Sequence, residues 1–141
     1  MTKHGTFAIY KKKGAAKFTL LPPRWAPEDK YVEKEGAVLL EAAPGVGDQK
    51  WDWQSKINFA ISVQDVCNLL DDEEKKHRLF HDHGGEIKTL EFKPGDGGSF
   101  MMYLTQGKAE AKQTIVVPIS SGEWQVFIRV LINACSKMLA W

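Results

Sequence analysis

The stretch Trp51-Asp52-Trp53-Gln54-Ser55-Lys56-Ile57-Asn58-Phe59-Ala60-Ile61-Ser62 governs how the rest of the chain is read. Successive side chains of a strand point to opposite sides. Trp53, Ile57, Phe59 and Ile61 therefore share one face and Asp52, Gln54, Lys56 and Asn58 the other. The first set is expected to face a core and the second to face solvent, with Trp51 on a rim near the strand start. The period then changes. Ser62-Val63-Gln64-Asp65 places a serine three residues before an acid, the spacing of a capping box that satisfies free backbone amides, so a short helix should begin there. Val63, Val66, Cys67 and Leu70 share one face of that helix.

Upstream, strands are expected at Thr6–Tyr10, Ala15–Leu21 and roughly Lys30–Ala43, with Gly, Pro and Asp between them supplying turns. Downstream, the charged run Asp71–Arg78 reads as a solvated helix end or loop. Strands follow at Leu79–His81, Ile87–Lys93, Ser99–Thr105 and Thr114–Ile119. Pro94-Gly95-Asp96-Gly97-Gly98 between two of them is a hairpin signal. In the third of these strands Phe100, Met102 and Leu104 oppose Met101, Tyr103 and Thr105. Ser120 with Glu123 opens the last helix, whose Trp124, Phe127, Ile128, Leu131, Ile132, Cys135, Met138 and Leu139 form an apolar face. Val126 and Val130 widen it. So broad a stripe can cover a sheet and still meet a neighbouring subunit. The order is four strands, helix, four strands, helix, a structural duplication within one domain spanning residues 1–141.

The chain has 141 residues, 43% of them hydrophobic, enough for one domain with a proper core. Its net charge of +1 is unevenly spread. Lys3, Lys11, Lys12, Lys13, Lys17 and Arg24 give the first 24 residues +6 with no acid, leaving −5 for the remainder. That asymmetry points to a localised basic face. Cys67 and Cys135 lie in helix-like apolar patterns without a Cys-x-x-Cys spacing and read as reduced core residues, against a secreted disulfide scaffold. No run approaches the ~18 apolar residues of a membrane span, which points to a soluble protein. No targeting peptide is visible either, since strand-like sequence starts by Thr6.

Binding chemistry is expected where cations and flat rings interleave. Single-stranded nucleic acid offers phosphates to lysine and unstacked bases to aromatic faces. Phe7, Tyr10, Phe18 and Trp25 stand among the N-terminal basic residues, and Trp51, Gln54, Lys56, Asn58 and Tyr103 add candidates further on. Other chemistry finds little support. His77, His81 and His83 match no zinc signature, so no metal or cofactor is expected. No Gly-x-Ser-x-Gly elbow accompanies a Ser–His–Asp set, and Gly95–Gly98 lacks the Lys-Ser/Thr of a phosphate loop. The chain does not read as an enzyme.

Trp51-Asp52-Trp53 with Phe59-Ala60-Ile61-Ser62, then Leu79-Phe80-His81-Asp82, then Pro118-Ile119-Ser120-Ser121-Gly122-Glu123-Trp124 before a helix ending at Trp141, resemble in order and spacing the Whirly family of single-stranded-DNA-binding proteins. The likeness runs from about Thr6 to Trp141. It implies an α+β fold of two antiparallel four-stranded sheets, each followed by a helix, four protomers about a fourfold axis, and work on organellar DNA in plastids or mitochondria. Tyr10-Lys11-Lys12-Lys13-Gly14-Ala15-Ala16 aligns with the family's Tyr-Lys-Gly-Lys-Ala-Ala-Leu segment, which is associated with DNA binding and larger assemblies. Lys11 and Lys13 match its lysines. Lys12 replaces its glycine and Gly14 an alanine, which puts the turn at that point in question. The nucleic-acid-binding residues expected are thus Tyr10, Lys11, Lys12, Lys13, Lys17, Trp51, Gln54, Lys56, Asn58 and Tyr103. The ligand is expected to be single-stranded DNA. The alternatives are an RNA-binding or annealing protein, since kinetoplastid proteins of similar fold handle guide RNA, and an interaction scaffold with a merely solubilising basic terminus.

Overall fold

The computed structural model describes residues 5–71, 77–108 and 111–141. Most of the charged run between Asp71 and Arg78, namely residues 72–76, lies outside the described residues. The first half builds β1 (Thr6–Tyr10), β2 (Gly14–Leu21), β3 (Arg24–Trp25), β4 (Val32–Lys34), β5 (Ala37–Gly47), β6 (Lys50–Trp51), β7 (Ile57–Ile61) and α1 (Val63–Leu70). The second builds β8 (Arg78–His83), β9 (Glu86–Pro94), β10 (Phe100–Lys108), β11 (Ala111–Ile119) and α2 (Ser121–Met138). The α+β class and the placement of both helices follow the sequence reading. The strand count does not.

Two of the expected strands are interrupted. The segment Lys30–Ala43 divides: β4 turns away to pair with β3 in a separate ribbon, and β5 starts at Ala37 and runs on to Gly47. Lys50–Ser62 divides as well. Asp52 accepts hydrogen bonds from the Gln54 amide and the Ser55 hydroxyl, and this side-chain competition with the ladder winds Trp53–Ser55 into a 3-10 turn. Both fragments still pair with β5, β6 at Gly45 and Gly47 and β7 from Val38 to Ala42. The first sheet is therefore five-stranded, ordered β1-β2-β5 with β6 and β7 both against β5. The second is the four-stranded meander β11-β10-β9-β8.

Alternation from Ile57 onward is as read: Ile57, Phe59 and Ile61 are buried, Asn58 and Ala60 exposed. The 3-10 turn breaks that parity before Trp53, which is only half-buried and lies outside the core. In β10, Met102 and Leu104 are buried and Phe100 packs on the core, as alternation requires.

Both helices start in complete capping boxes, Ser62 with Asp65 and Ser120 with Glu123. On α1 the buried face is Asp65, Val66 and Leu69, rotated from the expected one, so Cys67 and Leu70 are exposed. On α2, Trp124, Phe127, Leu131, Ala134 and Met138 are buried, while Val126 and Ile132 are exposed. Phe127 joins the two sheets, with its ring 4.8 Å from Phe18 of the first and 5.3 Å from Phe92 of the second. Phe100 stacks on Trp124 at 3.8 Å. One continuous apolar cluster results, drawing residues from both sheets and both helices. Both thiols are free, and burial pushes the Cys135 thiol up, with Cys67 adding to the effect. Among the described residues no helix is long and apolar enough to cross a membrane.

Candidate nucleic-acid interface

The basic cluster sits on the hairpin between β1 and β2. Lys11 N–H donates to the Gly14 carbonyl at 3.0 Å, closing the turn, and the Gly45 amide donates to the Lys13 carbonyl at 2.9 Å. Gly45 is required here: a methyl in its place would collide with the Lys12 carbonyl. Lys12 itself is not among the residues with positive φ, so this turn closes without the glycine that the sequence comparison suggested it needs.

Trp51 completes the anchorage. Its indole N–H donates to the Lys11 carbonyl at 2.8 Å, and its ring tilts against Tyr10 with centroids 5.0 Å apart. Tyr10 is 50% exposed. Together with Lys11, Lys12, Asp48 and Gln49 these rings border an open cavity of about 540 Å³. Two aromatic rings thus lie beside half-buried Lys11 and exposed Lys12, with one acid, Asp48, in the same lining. Gln49, in a left-handed turn at φ 55°, and Asp48 were not legible as site residues, because their position follows from the β5–β6 reversal.

The remaining candidates separate into two groups. Lys17, Glu41 and Asn58 are cross-strand neighbours on the outward face of the first sheet, opposite buried Phe18, Leu40 and Phe59. Lys17 places its ammonium 4.2 Å over the Trp53 ring, so the tryptophan expected in the core instead covers this outer face. Lys56 pairs with Glu41 at 2.6 Å, and exposed Gln54 stands beside it in the 3-10 turn. The Asn58 side chain is exposed, while its carbonyl receives Lys88 at 2.7 Å. Tyr103 lies apart, half-buried on the second sheet with Lys93 4.9 Å over its ring.

Not all the lysines are equally available. Lys11 forms an ion pair with Glu123 at 2.9 Å. Burial opposes ionisation of Glu123, yet its hydrogen bonds to Ser120 and Lys11 prevail and hold the carboxyl below the ordinary glutamate range. Lys11 and Lys56 are therefore partly committed within the protein, whereas Lys12 and Lys13 are exposed at the hairpin tip. His77 and His81 serve packing. His81 stacks on Phe59 at 3.9 Å and shares a hydrogen bond with Asp65 at 2.8 Å, tying β8 to the α1 cap. His77 contacts the Leu69 carbonyl. Among the described residues no group of His, Cys, Asp and Glu could hold a metal ion.

The sequence model of the Whirly transcription factors matches residues 9–130. The chain belongs to the Whirly family. Whirly is a family of nucleic-acid-binding proteins, not of enzymes. The chloroplastic single-stranded DNA-binding protein WHY1 of Zea mays is 30% identical over 96% of this chain and 56% of its own length. The mitochondrial single-stranded DNA-binding protein WHY2 of Arabidopsis thaliana is 26% identical over 96% of this chain and 63% of its own length. The chain thus spans somewhat over half the length of these relatives. The crystal structure of WHY1 from Arabidopsis thaliana superposes with a TM-score of 0.90 at 24% identity, covering 100% of this chain and 88% of that one. The Trypanosoma brucei MRP1/MRP2 structure shares the fold more distantly, with a TM-score of 0.57 at 10% identity over 95% of this chain and 85% of that one.

Proposed function

We propose that this Whirly protein binds single-stranded DNA with little sequence preference, on the β1–β2 hairpin and the outward face of the first sheet. The observation that carries this reading is the cavity where Tyr10 and Trp51 stand beside Lys11 and Lys12. Bases would rest on the rings and phosphates would meet Lys12, Lys13 and Lys17, a mode that tolerates any base because every base has a π face. Relatives named as single-stranded DNA-binding proteins support the ligand class. Their chloroplastic and mitochondrial names support a role on organellar DNA, in its protection, repair or transcription. Exposed Val126 and Ile132, with half-buried Val130 between them in sequence, make α2 the face through which a homotetramer would assemble.

Fluorescence anisotropy with oligothymidylate, oligouridylate and a duplex of matched length tests the proposal. Oligothymidylate should bind at least about tenfold more tightly than duplex, whose bases cannot leave their stack to reach the rings. Equal affinity for duplex would refute it. A strict need for the 2′-hydroxyl would assign the site to RNA instead.

A further inference from the structure

Glu123 belongs to the last helix, yet its carboxylate reaches the basic hairpin. Its Oε1 accepts the Ser120 N–H at 2.9 Å to complete the α2 cap, and the same atom pairs with the Lys11 ammonium at 2.9 Å. Lys11 is fixed at its root. Its N–H donates to the Gly14 carbonyl and its own carbonyl accepts the Trp51 indole N–H, so movement is left to the flexible four-carbon stem. Because Lys11 also borders the cavity of Tyr10 and Trp51, that stem gives its ammonium two destinations, the Glu123 carboxylate and the cavity. The pair is partly open to solvent, with side chains 32% and 28% exposed. An ion pair so placed is worth at most about fivefold in an equilibrium, weak enough for a competing anion to take the ammonium.

We infer that Glu123 is an internal competitor for the ligand's phosphates: it occupies Lys11 while no strand is bound, and a phosphate must displace it to gain that cation. Charge decides what can open the contact. Although burial opposes ionisation of Glu123, its bonds to Ser120 and Lys11 hold the carboxyl below the ordinary glutamate range, so at neutral pH the pair yields to another anion and not to a proton. A neutral base leaves it closed, whereas a phosphate offers the ammonium an equal charge. Glu123 thus lowers affinity at the hairpin without touching the strand, as a positioning residue that acts through Lys11. This inference rests on the proposed binding of single strands at the hairpin.

The test is a double-mutant cycle in the full chain, read by anisotropy with oligothymidylate over a range of salt. Glu123→Gln keeps an acceptor for the Ser120 N–H, and Lys11→Ala keeps both backbone contacts of the hairpin, so each variant should fold, with circular dichroism as the check. Glu123→Gln should bind about two- to fivefold more tightly, with a log–log salt slope steeper by up to about 0.7, one further phosphate neutralised. In the Lys11→Ala background the same substitution should leave affinity within about 1.5-fold and the slope unchanged. An equal gain in both backgrounds would overturn the inference, assigning the effect to the general field of a lost negative charge. Unchanged or weaker binding by Glu123→Gln would also overturn it, making Glu123 a helix cap alone or a residue that aims Lys11 at the strand. Absence of binding by the unaltered protein would overturn the proposed function itself, and this inference with it.

Discussion

Replacing Trp51 separates anchorage from ligand binding. Trp51→Phe keeps a ring against Tyr10 but removes the indole N–H that holds the Lys11 carbonyl at 2.8 Å, costing about 1 kcal/mol of stability, the net worth of one hydrogen bond. Trp51→Ala also removes the Tyr10 contact, worth about 0.5–1.5 kcal/mol, and some apolar burial, for a total of about 2–3 kcal/mol. A domain of this size is stable by about 5–15 kcal/mol, so both variants stay folded at ambient temperature, with circular dichroism as the check. If the ring supports a base, Trp51→Ala weakens oligothymidylate binding by about 1–3 kcal/mol and leaves the salt slope alone, because no counterion is released by stacking. Trp51→Phe should retain most of the affinity. Refutation would come from Trp51→Ala binding as tightly as the unaltered protein. A flattened salt slope in that variant would equally refute it, showing that Trp51 acts only by positioning the lysines.

Lys12→Ala with Lys13→Ala should flatten the salt slope of binding by up to about 1.4, and Lys11→Ala by less because Glu123 already engages that ammonium; an unchanged slope in the double variant would mark the hairpin as solvated surface. Leu131→Asp should unfold the chain, since a site 1% exposed cannot hold an unpaired charge without a cost of several kcal/mol. Ile132→Asp, at a site 48% exposed, should leave the fold intact but lower the light-scattering mass below the four times 15.9 kDa that the proposed homotetramer would give, and an unaltered mass would move the assembly face elsewhere. Glu123 has a lowered pKa, so its contribution to stability is complete above the ordinary glutamate value of 4.5 and disappears as pH falls through the lower folded value. Thermal melts in that acid range should show a smaller loss for Glu123→Gln than for the unaltered chain, and parallel losses would deny the carboxyl this role.

The sequence by itself determined the helices, because serine-to-acid spacing at Ser62–Asp65 and Ser120–Glu123 encodes a local cap that needs no tertiary partner. It determined the core faces of β7 and β10 for the same reason: a period of two is a property of the strand alone. It also placed Tyr10, Trp51 and the hairpin lysines among the candidates. Tertiary structure decided what local pattern could not carry. The turn at Asp52 reversed the reading of Trp53, since parity survives only while the ladder is unbroken. Which lysines are committed to Glu123 and Glu41 depended on residues 112 and 15 positions away, and no spacing rule reaches across such distances. Periodicity and capping are written in neighbouring residues, whereas a binding face is assembled from strands that meet only when the core closes.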